Sequence, residues 1–187
     1  MAKFPILCMA AAVLLMTGCV SQQKYNESQR RNAELEQEYR QLNQTMSAEV
    51  AAHDVQISRM RDAIKVSINS ELQFPPGGWE MSNSARTNIA KIAAILAPHQ
   101  TAKINVNGYT DSTPVGPELV KQGITTNLVL SQKRADNVMH YMIAQGVKTS
   151  LVSAHGFGEA RPVASNHTPQ GRSQNRRVEL TVANRSG

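Results

Sequence analysis

The sequence is poor in cysteine and in aromatic residues, and it contains no long apolar run. Of its 187 residues, two are Cys and 4% are Phe, Trp or Tyr. So few aromatic side chains argue against a surface on which nucleic-acid bases stack. No apolar stretch reaches the roughly 20 residues with which a helix spans a bilayer. A polytopic membrane protein is therefore excluded, whereas 41% apolar and 18% charged residues are typical of a folded globular chain.

The charge is distributed unevenly along the chain. The chain has 20 Lys and Arg against 14 Asp and Glu, a formal net charge of +6. Residues 20–63 contain six basic and seven acidic side chains, and residues 64–187 contain thirteen and seven. The basic excess thus belongs to the C-terminal part, which indicates an acidic partner: nucleic acid, anionic lipid or a polyanionic wall polymer.

The first 19 residues have the layout of a secretory leader. One Lys precedes an apolar stretch from Phe4 to Met16, which is too short to span a membrane as a helix. The following residues, Leu15-Met16-Thr17-Gly18-Cys19, resemble the bacterial lipobox, with Met16 where Leu, Val or Ile is commoner. The resemblance implies a lipoprotein signal peptide at residues 1–18 and acyl chains, including palmitate, on Cys19. The alternative is a signal peptide followed by an incidental cysteine.

These assignments would leave the mature chain without a free thiol. Cys8 would be removed with the leader and Cys19 would be acylated, so disulfides, zinc–thiolate sites and a cysteine nucleophile are not expected. By resemblance to lipoprotein sorting rules, Val20 after the cysteine favours the outer membrane. The expected location is therefore the outer membrane, with a lipid anchor and the chain facing the periplasm.

Residues 19–63 are predicted to form the lipidated N-terminus and a helical linker. From residue 22 to about residue 61 there is no Gly or Pro, and apolar residues recur at three- and four-residue steps. When the linker is aligned to a seven-residue repeat, the core positions include polar residues, and the apolar residues shift from one position of the repeat to another. Both features argue against a strong coiled coil. A solvated single helix is the preferred interpretation, and a self-associating stalk remains the alternative.

The C-terminal part alternates strand and helix signals. Strands are predicted at 64–70, 104–109, 151–157 and 177–182, and helices after Ser82 or Asn83 and from residue 128 to 145. A Gly- and Pro-containing excursion covers 114–126 and a polar loop covers 158–175. This pattern predicts one sheet with its helices, an α/β or α+β sandwich.

Several separate motifs in this region occur in a fixed order. They are Gly108-Tyr109-Thr110-Asp111, Asn127, Leu130-Ser131-Gln132-Lys133-Arg134-Ala135, Gly146-Val147, Gly156-Phe157-Gly158-Glu159, Gly171-Arg172 and Asn175-Arg176-Arg177-Val178-Glu179. Together they resemble the OmpA-like (OmpA/MotB) C-terminal domain over residues 64–184. The resemblance implies an α+β, βαβαββ-type sandwich of one sheet with helices on one face. Tyr109 replaces a common His, and the insertion at 112–126 is more like the MotB branch.

The resemblance implies non-covalent binding of peptidoglycan through the diaminopimelate of its stem peptide. Diaminopimelate presents an ammonium and a carboxylate on one centre, so one carboxylate and one guanidinium satisfy both. Asp111 is expected to take the ammonium and Arg134 the carboxylate. The residues expected around them are Thr110, Asn127 and Leu130, with Arg176 as a far wall that braces Asp111 or contacts the ligand.

Each of these residues also has a purely structural interpretation. Asp111 alone would suit a turn, Arg134 a solvated helix position or a partner of Asp136 or Glu118, and Asn127 or Ser131 a helix cap. Arg176 and Arg177 alternate on a strand, so at most one of them faces the groove.

Other functional classes fit less well. The chain has no Gly-x-Ser-x-Gly elbow, no His-Glu-x-x-His and no P-loop, so neither an enzyme nor a cofactor or metal is expected. A leader peptide would remove the chain from cytoplasmic nucleic acid. A motor stator would need a transmembrane helix with an intramembrane acid. The expected role is a tether between the outer membrane and the wall, or the wall anchor of a secretion or motor complex with other envelope proteins as partners.

Overall fold

A computed structural model describes residues 7–75, 78–98 and 100–183. Side chains are described for these residues except positions 7–21 and Leu72. The elements in chain order are α1 (Leu7–Thr45), α2 (Ser47–Ala51), β1 (Val55–Arg59), β2 (Ala63–Asn69), α3 (Ser70–Gln73), α4 (Asn83–Leu96), β3 (Lys103–Gly108), α5 (Pro117–Lys121), α6 (Asn127–Ala144), a 3-10 turn (Thr149–Leu151), β4 (Val152–Gly156), α7 (Pro169–Asn175) and β5 (Arg177–Ala183).

The five strands form one mixed sheet in the order β1-β2-β5-β3-β4. Only β3 and β4 run parallel; the other neighbours are antiparallel. The register aligns buried apolar residues into rows across the three central strands. The rows are Ile64–Val182–Ile104 and Val66–Leu180–Val106. Because side chains alternate along a strand, these rows form one apolar face of the sheet.

The two long helices after the linker pack on this framework. Helix α6 contacts β3 and β4, and α4 contacts α6 and α3. Each begins at a capping hydroxyl, since Ser82 Oγ accepts from Ala85 N at 3.1 Å and Thr126 Oγ1 accepts from Val129 N at 3.2 Å. The predicted helices and the α+β fold class are confirmed, but Thr126, rather than Asn127 or Ser131, caps α6.

The predicted helical linker is wrong from residue 55 onward. Residues Val55–Arg59 form strand β1, which pairs antiparallel with β2 from Val55–Ile68 to Arg59–Ile64. The sheet therefore begins before the predicted domain boundary at residue 64. Ile57 fits a helical stripe and also, together with Val55, a two-residue alternation. Pairing with β2 selects the strand because it satisfies the backbone of both segments.

The end of the linker helix is packed rather than solvated. Leu42 and Met46 are fully buried, and Lys91 Nζ of α4 lies 2.8 Å from Glu49 Oε1 of α2. The chain divides into two compact units, residues 1–37 and 38–187. In the first unit, the helix from residue 22 has mostly exposed side chains and carries an ion pair between Glu27 and Arg31.

The predicted signal peptide at 1–18 and the predicted acylation of Cys19 fall on positions whose side chains the structure leaves undescribed. Among residues 7–75, 78–98 and 100–183, no helix combines the length and the apolar character that crossing a membrane requires.

Two predicted loops contain short helices. Helix α5 lies in the excursion at 114–126, and α7 lies in the polar loop at 158–175.

Candidate functional site

Two glycines bring the ends of β3 and β4 against α6. A Cβ at Gly108 would lie 2.2 Å from the Ser131 carbonyl oxygen, and one at Gly156 would lie 2.4 Å from the Gln132 backbone nitrogen. Only residues without a side chain permit so close an approach. Asp111 follows Gly108 by three residues and Arg134 follows Ser131 by three residues, so the approach also sets the relative position of Asp111 and Arg134.

Asp111 is a buried carboxylate at the end of the segment that follows β3, with 5% of its surface exposed. Its Oδ1 accepts a hydrogen bond from Thr113 N at 2.9 Å, which is an Asx turn. Its Oδ2 pairs with Arg176. Asn127 donates from Nδ2 to the carbonyl oxygens of Asp111 and Thr113 at 3.3 and 3.0 Å. Asp111 therefore occupies a turn, and its side chain is also oriented by a tertiary ion pair.

Arg176 is held between two carboxylates. Its Nη1 donates to Asp111 and its Nη2 donates to Glu71. Glu71 in turn accepts from the Ser173 hydroxyl at 2.8 Å through Oε2. Burial alone would lower the pKa of Arg176, but the hydrogen bonds to Asp111 and Glu71 outweigh it and raise that pKa. Arg176 thus braces Asp111, which is one of the two roles that the sequence suggested.

Glu71 is the residue that sequence reasoning missed. It lies on the four-residue helix α3, 105 residues from Arg176 in the chain, with half of its side chain exposed. Burial would raise the pKa of Glu71, yet the hydrogen bonds from Ser173 and Arg176 bring that pKa below its ordinary value. Nothing in the local pattern distinguishes it from a solvated glutamate.

Arg134 is buried on α6 with 6% of its surface exposed. Its Nε donates to Gly78 O at 2.9 Å, and its Cζ lies 5.1 Å from the Phe74 ring centroid. Burial, together with the positive charge of Arg176, lowers the pKa of Arg134 to about 10, while Asp111 acts in the opposite direction. Asp136 and Glu118, the partners that a purely structural role would have given Arg134, bond instead to Gln132 and Lys121.

Arg134 therefore keeps an open guanidinium fork. Within the part of the chain that the structure describes, its two terminal nitrogens make no hydrogen bond and no carboxylate pairs with it. We call Glu71, Asp111, Arg134 and Arg176 the four-charge site. Its formal charges sum to zero, but they are paired unequally, because Arg176 has two carboxylate partners and Arg134 has none.

The remaining predicted residues take different places. Thr110 is buried, and its backbone N–H donates to Gly158 O at 2.8 Å. Its hydroxyl has no hydrogen-bond partner among the residues that the structure describes. Leu130 is buried one helical turn before Arg134, in a small core with Leu119 and Ile124. Leu130 thus supports the excursion next to the site.

Arg177 points away from the four-charge site, as the strand alternation predicts. Its Cζ lies 3.8 Å from the centroid of the Tyr109 ring, which stacks on Phe157 with 5.2 Å between centroids. Its Nε donates to Glu179 at 2.8 Å. Arg177 therefore joins the polar face of the sheet rather than the site.

The chemistry of the four-charge site suits a zwitterion rather than a metal ion. Within 7–75, 78–98 and 100–183, no group of three or more His, Cys, Asp or Glu is arranged to hold a metal. An oriented carboxylate beside an open guanidinium fork offers an acceptor for an ammonium and a bidentate donor for a carboxylate.

Several known proteins are similar to this chain in sequence or in fold. The OmpA family matches residues 73–176. The probable lipoprotein YiaD of Escherichia coli is 35% identical over 129 residues, which cover 69% of this chain and 55% of YiaD. The peptidoglycan-binding protein ArfA of Mycobacterium tuberculosis is 33% identical over 123 residues, which cover 66% of this chain and 35% of ArfA.

A solved structure extends the match to three dimensions. The cell wall anchor of the T6SS from Pseudomonas aeruginosa has a TM-score of 0.69 at 26% identity, covering 76% of this chain and 96% of the anchor. The chain spans between about a third and somewhat over half of the two curated relatives. The family match at residues 73–176 includes Asp111, Arg134 and Arg176, whereas Glu71 lies just before it.

Proposed function

The chain belongs to the OmpA family, and from that premise we propose that it binds peptidoglycan non-covalently, without catalysing a reaction on it. Its relatives support this role, since ArfA is named a peptidoglycan-binding protein and the T6SS structure is described as a cell wall anchor. The ligand of the proposal is the diaminopimelate of the stem peptide.

The observation that carries the proposal is the open fork of Arg134 beside the oriented carboxylate of Asp111. A buried guanidinium without a carboxylate partner is costly in an isolated protein, and a ligand carboxylate would remove that cost. The fork matches a carboxylate in a bidentate manner that the ammonium of Lys would not reproduce.

Each carboxylate oxygen of Asp111 retains one acceptor position that a ligand can use. Thr113 and Arg176 each use one oxygen of the carboxylate, and a carboxylate offers about four acceptor positions. The ammonium of diaminopimelate takes a remaining position while its carboxylate binds Arg134. Thr110 adds a buried hydroxyl that has no hydrogen-bond partner within residues 7–75, 78–98 and 100–183.

The test is co-sedimentation of the full chain, in detergent, with diaminopimelate-containing sacculi. Asp111→Ala and Arg134→Ala should each lower the affinity by about ten- to a hundredfold, because a hydrogen bond to a charged group contributes ~1.5–3 kcal/mol. Free diaminopimelate should compete with the sacculi, and Arg134→Lys should fail to restore binding.

Arg61→Ala is the matched control, since Arg61 is exposed in the turn between β1 and β2. It should cost only a small, salt-sensitive part of the affinity. Asp111→Ala makes the chain more positive, so attraction to a polyanion alone would strengthen. Wild-type binding by Asp111→Ala, with equal losses in Arg61→Ala and Arg134→Ala, would contradict the proposal.

A lipid anchor on Cys19 completes the proposed role as a tether facing the periplasm from the outer membrane. The lipobox-like ending at residues 15–19 and the name of YiaD, a probable lipoprotein, support it. Several acyl chains, palmitate among them, at ~0.8 kcal/mol per buried methylene, hold a protein firmly on a membrane. Cys19→Ala should move the protein out of the outer-membrane fraction in cells whose peptidoglycan has been digested. If the variant still fractionates with outer membranes, the anchor is elsewhere.

A second candidate is the wall-anchoring part of a secretion or motor complex. The T6SS cell wall anchor favours it, because that structure covers most of this chain. The two roles use the same four-charge site and differ in the partner of the remaining chain. Cross-linking in intact cells, followed by purification, should recover other envelope proteins stoichiometrically if this second role holds, and mainly peptidoglycan fragments if the chain acts alone.

A further inference from the structure

The two residues that would hold the ends of a zwitterion lie on different elements. Asp111 follows strand β3, and Arg134 lies in helix α6. To bind one ligand centre, the two side chains need a fixed separation, because a hydrogen bond weakens steeply when donor and acceptor are misaligned. The contacts between β3 and α6 therefore determine how well the four-charge site is formed.

A single residue, Gly158, joins these two elements. Gly158 follows β4 by two residues and donates its backbone N–H to Ser131 Oγ at 2.8 Å. Its carbonyl oxygen accepts from Thr110 N, also at 2.8 Å. Arg134 lies about one helical turn after Ser131. Asp111 directly follows Thr110. We call Ser131, Gly158 and Thr110 the Gly158 bridge.

The hydroxyl of Ser131 is oriented by its own helix. Ser131 is fully buried, and its hydroxyl donates to Leu128 O at 2.9 Å while it accepts from Gly158. A hydroxyl has one hydrogen to donate, and here that hydrogen is used within α6. The oxygen of Ser131 is thus left as an acceptor that points to the loop after β4.

Gly158 brings this loop very close to the first turn of α6. Its φ is +56°, in the left-handed region that glycine adopts without strain. A Cβ at this position would lie 3.1 Å from Leu128 N and 3.3 Å from the carbonyl carbon of Asn127. A side chain here would therefore push the loop away from α6 and lengthen the hydrogen bonds of the Gly158 bridge.

The neighbours of Gly158 are held to the sheet. The ring of Phe157 stacks on Tyr109 with 5.2 Å between centroids, and Arg161 Cζ lies 4.4 Å from the Phe157 centroid. The carbonyl oxygen of Arg161 accepts from Arg177 Nη2 at 3.1 Å. Because the loop is fixed to the strands in this way, Gly158 holds α6 at a set distance from the end of β3.

Helix α6 makes further contacts on either side of the bridge. Gln132 Oε1 accepts from Gly156 N at 2.6 Å, and its Nε2 donates to Ala154 O at 3.3 Å. Asn127 binds the backbone of the turn that begins at Asp111. Asp111 is thus linked to α6 on both sides, and the Gly158 bridge is the link whose hydrogen bond to α6 is buried.

We propose that Ser131 and Gly158 are positioning residues that couple Asp111 to Arg134, so that the two ends of one zwitterion bind cooperatively. The inference rests on the proposed function, because it takes the ammonium to be held at Asp111 and the carboxylate at Arg134. Ser131 does not touch the ligand and acts only through the separation of the two groups that do. Loss of the bridge therefore weakens binding only while both groups are present.

A double-mutant cycle tests this coupling, with the full chain in detergent and diaminopimelate-containing sacculi as the ligand. Ser131→Ala alone should lower the affinity by about tenfold, the lower end of the range for a lost hydrogen bond to a charged group. In the Asp111→Ala background the same change should cost less than about twofold, because no second contact is left to align. A purely structural effect on α6 would instead lower the affinity by the same factor in both backgrounds.

Two single variants separate the hydrogen bond from packing. Ser131→Cys nearly keeps the buried volume and is expected to fold, but a thiol is a weak acceptor, so the affinity should fall severalfold. Ser153→Ala is the matched control and should bind as wild type, since Ser153 of β4 donates to Asn105 Oδ1 at 2.9 Å on the polar face of the sheet. Urea unfolding followed by the fluorescence of Trp79, the only tryptophan, establishes that each variant is folded.

Two results would overturn the coupling while leaving peptidoglycan binding intact. One is an equal loss from Ser131→Ala with and without Asp111. The other is wild-type affinity in both folded variants, Ser131→Ala and Ser131→Cys. Wild-type affinity in Asp111→Ala, or no binding of sacculi by the wild-type chain, would instead refute the proposed function, and the coupling with it.

Discussion

Replacing Gly108 by alanine should disturb both the fold and the four-charge site. The added Cβ would lie 2.2 Å from the Ser131 carbonyl oxygen and 3.0 Å from its carbon, both backbone atoms of α6. An ordinary contact needs about 3.5 Å, so α6 must move away from β3 by more than about 1 Å. Because neither partner is a flexible side chain, rotamer changes cannot relieve the overlap.

The magnitude follows from the rigidity of the two elements. Overpacking of a core costs ~1–3 kcal/mol where side chains can adjust, so we expect at least about 3 kcal/mol for Gly108→Ala. Binding to sacculi should fall by tenfold or more, because the displacement of α6 carries Arg134 away from Asp111. Urea unfolding of the full chain, followed by Trp79 fluorescence, measures the stability term.

Gly116→Ala provides the matched control. A Cβ at Gly116 meets nothing within 4 Å, and the residue has φ −71°, which any residue adopts. As the N-cap of α5 it should change the free energy of unfolding by less than about 1 kcal/mol in either direction. If Gly108→Ala and Gly116→Ala unfold at the same urea concentration, the close approach of β3 and α6 does not position the site.

Two further predictions concern the carboxylates around the fold. Glu71→Gln should cost less than about 1 kcal/mol of stability, because half of Glu71 is exposed, and should weaken sacculus binding only severalfold, since Arg176 keeps its bond to Asp111. Glu49→Gln should destabilise the chain by up to about 1 kcal/mol at pH 7 by weakening the pair with Lys91. The hydrogen bond from Lys91, which outweighs the effect of burial, lowers the pKa of Glu49, so this stabilisation is present above pH ~4.5 and is lost as the pH falls through the folded-state pKa. In urea unfolding, the difference in stability between wild type and Glu49→Gln should therefore be smaller at pH 3 than at pH 7.

Periodicity and capping chemistry predicted the elements whose local signals agree with their tertiary environment. Helices α4 and α6 both have apolar residues at helical spacing. Capping chemistry predicted the start of α4 after Ser82, whereas α6 is capped by Thr126 and not by Asn127 or Ser131. Strand β1 was missed because Ile57 continues the apolar spacing of the linker helix. Its conformation is determined by pairing with β2, which a helical stripe in the sequence does not report.

The site was predictable only in part for a similar reason. Asp111 and Arg134 lie in motifs that follow a strand and open a helix, so their positions followed from the family resemblance. Glu71 contributes through Arg176, which is distant in sequence, and its exposed position on a short helix carries no periodic signal. The pairing of Glu71 with Arg176 becomes evident only in the folded chain, where α3 lies next to the start of β5.

The ion pairs inside the four-charge site make the proposed ligand recognition independent of the overall basic charge of the chain. The chain carries a formal net charge of +6, which attracts any polyanionic wall polymer and is screened by salt. The site itself has two carboxylates and two guanidinium groups, so it adds nothing to that attraction. Because Glu71 and Asp111 both bind Arg176, Arg134 has no carboxylate partner in the described part of the chain. In the proposed function, the contacts that neutralise Arg176 therefore leave Arg134 for the carboxylate of a ligand, and the remaining acceptor positions of Asp111 would take the ammonium of the same ligand.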